Sequence, residues 1–270
     1  MRRQWSADKT SGIMNLLKVI ALLAAACVLA GCAGNDIPEP DTPVGAAVLP
    51  DLMPKPQLNV TTGQVNGKWR IFFSTIIVNV GNGDFVLRAT REDQGEWSIE
   101  QGIPYSEGGA KVVPVASTLA WGGDGHDHWH VARVATVRLV SLGENGRPKD
   151  EEGGVDGKVG FCFYDHTHEL ERGPEEALYS AHGCGGEQDT FIGAGLSPGW
   201  NDTYRQTLPG QSIDVTGLSD GKYRPWTEVD ETGSFREATR KNNRTWIDLD
   251  LRMTPAGLSA NTIGTGPTPS

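Results

Sequence analysis

The sequence predicts an all-β fold: an antiparallel β-sandwich forming a single domain with long loops. Short runs of alternating apolar and polar residues recur along the chain, the pattern of strands with one buried face. Turn dipeptides separate these runs, and 35 glycines with 16 prolines among 270 residues suit turns better than helices. No long stretch carries the 3.6-residue period of an amphipathic helix, and there is no internal repeat.

Taken in order, residues 69–80 are rich in Ile, Phe and Val and end at Gly81-Asn82-Gly83. Residues 85–88 follow at once, so a hairpin is expected there. Residues 131–142, rich in Val and Leu, predict the next long strand, and residues 158–164 alternate cleanly. In this last run Val159, Phe161 and Phe163 share the face expected in the core, and Lys158, Gly160 and Cys162 share the other. Residues 213–218, 223–229 and 246–251 complete the set. Asn145-Gly146, Asp156-Gly157 and Asp220-Gly221 read as turns between them.

The ends read differently. Residues 19–30 form an apolar run too short to span a membrane as a helix, preceded by Lys18. The run closes in Leu29-Ala30-Gly31-Cys32, which resembles the lipobox of bacterial lipoproteins. Residues 1–31 are therefore expected to be a signal peptide, with Met14 as a candidate true start, and Cys32 is expected to carry lipid. The implied location is the outer face of the bacterial cell membrane, or the outer membrane where one exists, with contact to the membrane surface through that lipid. Residues 32–48 hold prolines and acidic residues and read as a flexible tether. The folded domain is expected over residues 49–252. Residues 253–270, rich in Gly, Pro, Thr and Ser, are expected to be a disordered tail.

Removing residues 1–31 takes away four of the 24 basic residues and one of the 34 acidic ones, leaving a formal charge of −13. That charge disfavours nucleic acid as a partner and favours cations. The body of the chain keeps two cysteines, Cys162 and Cys184, and outside the cytoplasm two such cysteines pair. A metal thiolate is the alternative.

Three of the six histidines lie at alternate positions in His126-Asp127-His128-Trp129-His130. On a strand they would share one face, and imidazole is the commonest metal ligand. The first and third Cα atoms of a straight strand lie about 13 Å apart, at roughly 3.3 Å per residue. Metal–nitrogen bonds of about 2.0 Å cannot easily bridge that span, so a shared ion requires a bend, which Gly122, Gly123 and Gly125 would permit. Nitrogen donors suit copper, zinc or nickel. The bland alternative is a solvated strand face. His166 and His168 repeat the i, i+2 spacing as either a second metal pair or a solvated loop, and His182 has no evident role.

Three segments taken together carry a family resemblance. They are the histidine run, Lys158-Val-Gly-Phe-Cys162-Phe-Tyr-Asp165, and Gly195-Leu-Ser-Pro-Gly-Trp-Asn-Asp-Thr-Tyr204 followed by Gln211-Ser-Ile-Asp214-Val-Thr216. In order and wording they resemble the catalytic domain of the lysyl oxidases. Weaker echoes at Leu49-Pro50-Asp51-Leu52, Asn79-Val80-Gly81, Gly221-Lys-Tyr223, Glu237 and Asn242-Asn243 extend the match over about residues 49–251. The resemblance implies that His126, His128 and His130 bind copper. It also implies that Lys158 and Tyr204 form the cross-linked cofactor lysine tyrosylquinone. Two family cysteines are replaced, by Trp200 and Gly210, and Trp129 stands where animal members have tyrosine.

The activity so implied is that of a copper amine oxidase of the protein-lysine 6-oxidase type. Its substrates would be a primary amine or a lysine-containing protein, together with O₂, and its products an aldehyde, ammonia and hydrogen peroxide. A carboxylate is expected as general base, with Asp165 and Asp202 as candidates. The competing readings are a non-catalytic copper-binding surface lipoprotein and an adhesion sandwich with incidental histidines.

Overall fold

The computed structural model describes residues 43–122, 127–149 and 155–270, without the side chains of residues 155–158. The described chain is built from antiparallel strands and one 3₁₀ turn at Ala181–Cys184, with no α-helix among the described residues.

The first sheet centres on β3 (Lys68–Asn79), flanked by β1 (Leu52–Pro54), β2 (Leu58–Val65), β12 (Trp200–Tyr204) and β13 (Ser212–Asp214), with β10 (Thr167–His168) beyond β12. The second contains β11 (Phe191–Leu196), β4 (Phe85–Thr90), β5 (Ser98–Pro104) and β6 (Ala110–Pro114), in that order. The third runs β16 (Gly257–Thr265), β15 (Arg244–Thr254), β14 (Gly221–Val229), β8 (Trp129–Ser141) and β7 (Leu119–Trp121), with β9 (Val155–Phe161) also on β8.

Two apolar cores join these sheets. One packs Ile77 and Tyr204 of the first sheet with Phe85 and Leu196 of the second and Val131, Phe161 and Val229 of the third. The other packs Ile71, Phe73 and Ile213 against Val137, Leu139, Ile247 and Leu249. Val159 and Phe161 of β9 and Phe163 just beyond it are buried as expected, but Cys162 on the other face is buried as well.

Several expectations need correction. The strand at residues 69–80 does not pair with the one at 85–88: β4 pairs with β5 and with β11, about a hundred residues away. The hairpin lies on the other side, where β2 meets β3 through Asn66-Gly67. Both turn residues have positive φ, 52° and 75°, the conformation that a two-residue hairpin of matching twist requires. Asp156-Gly157 is strand backbone within β9, because β8 supplies a partner for it. Residues 253–270 are not simply a tail, since β16 pairs along β15 from Thr254 to Ile247.

The start of the domain is clasped to its end. Glu237 accepts hydrogen bonds from the Leu52 amide (2.7 Å) and from Asn243 Nδ2 (2.9 Å), while Asn242 donates to Asp51. Burial pushes the Glu237 carboxyl up to about 7 despite the two donors.

Candidate metal and tyrosine site

The histidine run is not a straight strand. His128 lies in a bend, its carbonyl accepting the Gly122 amide at 2.9 Å, and β8 begins at Trp129. His126 lies outside the described residues. Gly123 and Gly125, two of the glycines expected to permit a bend, also lie outside the described residues, and β8 carries a further irregularity after the run. Four steps along β8, from Val131 to Ala135, match two steps along β9, and Arg133 has φ of 59°. A non-glycine residue in that region is strained and marks a wide bulge.

The bend brings two imidazoles together. The rings of His128 and His130 are 4.6 Å apart, edge to face, and the Nε2 atoms of both are buried. Trp129, between them in sequence, anchors the run. Its indole nitrogen donates to the Gly186 carbonyl at 2.9 Å, and its ring meets Trp97 at 5.2 Å and Trp121 at 5.5 Å. The Arg91 guanidinium stacks on both Trp97 and Trp129, at 4.5 and 4.7 Å. Arg91 also donates to the carbonyls of Glu187 and Asp189. Arg91 and Trp97 were invisible to a motif search because each acts through an indole, not through the metal ligands.

Tyr204 reaches this place from β12, on the opposite sheet. Its ring lies 5.7 Å from the His130 ring and 4.1 Å from Phe161. Its hydroxyl oxygen accepts the Cys162 amide at 2.9 Å. Burial first, and then the charge of Asp202, raise the phenol well beyond its ordinary range.

Lys158 occupies β9 opposite Thr136, two positions before Gly160, and its side chain lies outside the described residues. Gly160 is the closest neighbour of the histidine strand. A Cβ added there would sit 3.0 Å from His130 Cβ and 3.1 Å from the Val131 carbonyl oxygen. The motif shows a glycine; only the packing shows that a side chain here would press on the histidine strand. A cavity of about 170 Å³ opens where Trp121, His130, Gly160, Tyr204, Pro209 and Gly210 meet.

The two cysteines form the Cys162–Cys184 disulfide. Trp200, at a position where the family has cysteine, is nearly buried, donates to the Pro174 carbonyl and stacks on His168. His168 is further engaged with the Arg172 carbonyl, and His166 with Thr167, so each ring has a neighbour of its own. His182 lies in the 3₁₀ turn. Cys32 is outside the described residues.

The two candidate bases differ sharply. Asp165 accepts four hydrogen bonds, from the amides of Leu178, Tyr179 and Ser197 and from the Ser197 hydroxyl. Asp202 is fully buried, and neither of its oxygens makes a hydrogen bond of ordinary geometry.

The two placed imidazoles are a donor set suited to copper, beside a phenol that such a metal could oxidise. Sequence comparison gives the same direction. The family model described as Lysyl oxidase matches residues 102–259. No curated protein matches the chain. Members of the family generally use copper and lysine tyrosylquinone. A match across more than half of the chain, which contains the histidine run, Lys158 and Tyr204, establishes that this protein belongs to the lysyl oxidase family.

Proposed function

We propose that the protein is a copper-dependent amine oxidase of the protein-lysine 6-oxidase type. It converts primary amines or protein lysine side chains to aldehydes. One amine, one O₂ and one water give one aldehyde, one ammonia and one hydrogen peroxide. The observation that carries this reading is the approach of the Tyr204 ring to His130, two residues from different sheets meeting at one cavity.

In this scheme His126, His128 and His130 hold the copper. The metal with lysine tyrosylquinone, formed from Lys158 and Tyr204, would supply the redox chemistry and the carbonyl that receives the amine. The Cys162 amide fixes the Tyr204 oxygen. Trp121 and Pro209 wall the cavity, whose volume of about 170 Å³ has room for the end of a primary amine.

The test is an intact-mass and peptide map of protein expressed with copper, with peroxide release from n-butylamine measured in parallel. A covalent link between the Lys158 and Tyr204 peptides is expected. Stoichiometric copper with neither link nor peroxide would overturn the proposal and leave a copper-binding lipoprotein.

We also place the protein outside the cytoplasm, anchored to the outer face of the membrane through lipid on Cys32. The Cys162–Cys184 disulfide supports an oxidising compartment. Labelling with a tagged fatty acid should mark the protein and be lost in Cys32→Ser. Labelling that persists in that variant would exclude this anchor.

A further inference from the structure

We propose that Asp202 is the proton acceptor of the amine-oxidising site, a role that rests on the function proposed above. Buried polar groups in folded proteins are almost always hydrogen-bonded, and a buried carboxyl without partners costs free energy. Asp202 is 0 % exposed, and neither oxygen makes a hydrogen bond of ordinary geometry, the Thr203 amide being the one donor that acts on it. Ile77, part of the apolar core, lies opposite it on β3. Packing alone would favour an apolar residue at this position.

Its placement gives the carboxyl a use. Asp202 and Tyr204 are two apart on β12, so both point to the same face, with Cα atoms about 7 Å apart. Tyr204 feels the charge of Asp202, and so does Tyr164. Tyr204 lines the cavity, and Asp202 precedes it by two residues on the same strand. Burial raises the Asp202 carboxyl well above the usual range, and the nearby Asp165 adds to that shift; the Thr203 amide opposes it without cancelling it. A carboxylate made more basic in this way holds an accepted proton more firmly than an ordinary one. Asp165 has no such freedom, since its four hydrogen bonds hold the loop at residues 178–179 against Ser197.

The step is a proton transfer within an oxidation. The C–H bond at the carbon bearing the amine nitrogen breaks. Its proton goes to an Asp202 oxygen, and its electron pair passes to the cofactor and finally to O₂, which leaves as hydrogen peroxide. Water then releases the aldehyde and ammonia.

Copper-loaded wild type, Asp202→Asn and Asp202→Glu separate the possibilities. Cofactor is counted by phenylhydrazine trapping, and peroxide release from benzylamine is expressed per trapped cofactor. Asp202→Asn is expected to lose about 100-fold or more in rate. Its isotope effect with α,α-dideuterated benzylamine should rise, and Asp202→Glu should recover part of the rate. Metal-free Asp202→Asn is expected to melt within a few degrees of wild type or above it, since no hydrogen bond of ordinary geometry is lost and a buried charge is removed. Wild-type turnover per cofactor in Asp202→Asn would overturn the assignment, as would a marked fall in its melting temperature. If Asp202→Asn traps no cofactor, Asp202→Glu decides. Turnover in the glutamate variant keeps the carboxylate in the chemistry, and a well-folded but inactive one removes it. A wild type that forms no cofactor defeats the amine oxidase reading itself, a result distinguishable from failure of Asp202 alone.

Discussion

Tyr204→Phe is expected to abolish amine turnover and the quinone absorbance while leaving the protein folded and able to take up copper. The ring keeps its contacts with Phe161 and His130, so the core loses little. What disappears is the oxygen that accepts the Cys162 amide. Leaving that buried donor unmet costs about 1–3 kcal/mol, a modest share of a domain's stability. Peroxide release, visible absorbance, copper per chain and thermal melting, measured on one preparation, check all four parts. Lys158→Met should match it in turnover and absorbance. Wild-type absorbance in either variant would remove both residues from the cofactor.

The second large effect is on stability. Replacing Cys162 and Cys184 together by alanine opens a link that spans 22 residues. The chain-entropy model gives about 3 kcal/mol for a loop of that length, and roughly 10 °C in melting temperature for a domain of this size. Both sulfurs are buried, so a small cavity adds to the loss. Because the Cys162 amide holds the Tyr204 oxygen, the variant should also form cofactor more slowly than its stability alone implies. Melting curves, with the rate at which absorbance grows after copper addition, test the two effects separately. An unchanged melting temperature would contradict the structural role given to the bond.

The long apolar strands were legible in the sequence for two reasons: β15 carries the period of two that one buried face leaves, and β3 and β8 read as nearly continuous apolar runs because most of their residues are buried. β2 was missed because most of its residues are exposed or only partly buried, and its Asn66-Gly67 turn was overlooked. Pairing was less readable than strand position. Nothing local tells β4 that its neighbour is β11. β16 has the composition of a tail and is ordered by the edge of β15, a tertiary cause. At the site, the residue types were visible, whereas the environments that separate Asp165 from Asp202 were not. Both are aspartates near a motif, and only burial and hydrogen bonding show that one is structural and the other unsatisfied.

The bulge between Val131 and Ala135 gives β8 an unusual tolerance profile. Upstream of it the strand presents His130 to the cavity; downstream it feeds Val137 and Leu139 into the second core. The two ends stay in phase because the surplus on β8 is an even number of residues. Substitutions inside the bulge should be absorbed locally. Loss of a single residue there would turn one end inside out, setting the imidazoles or the core against solvent. Relatives can therefore drift in composition at this kink, but an odd insertion or deletion should coincide with loss of the histidine run.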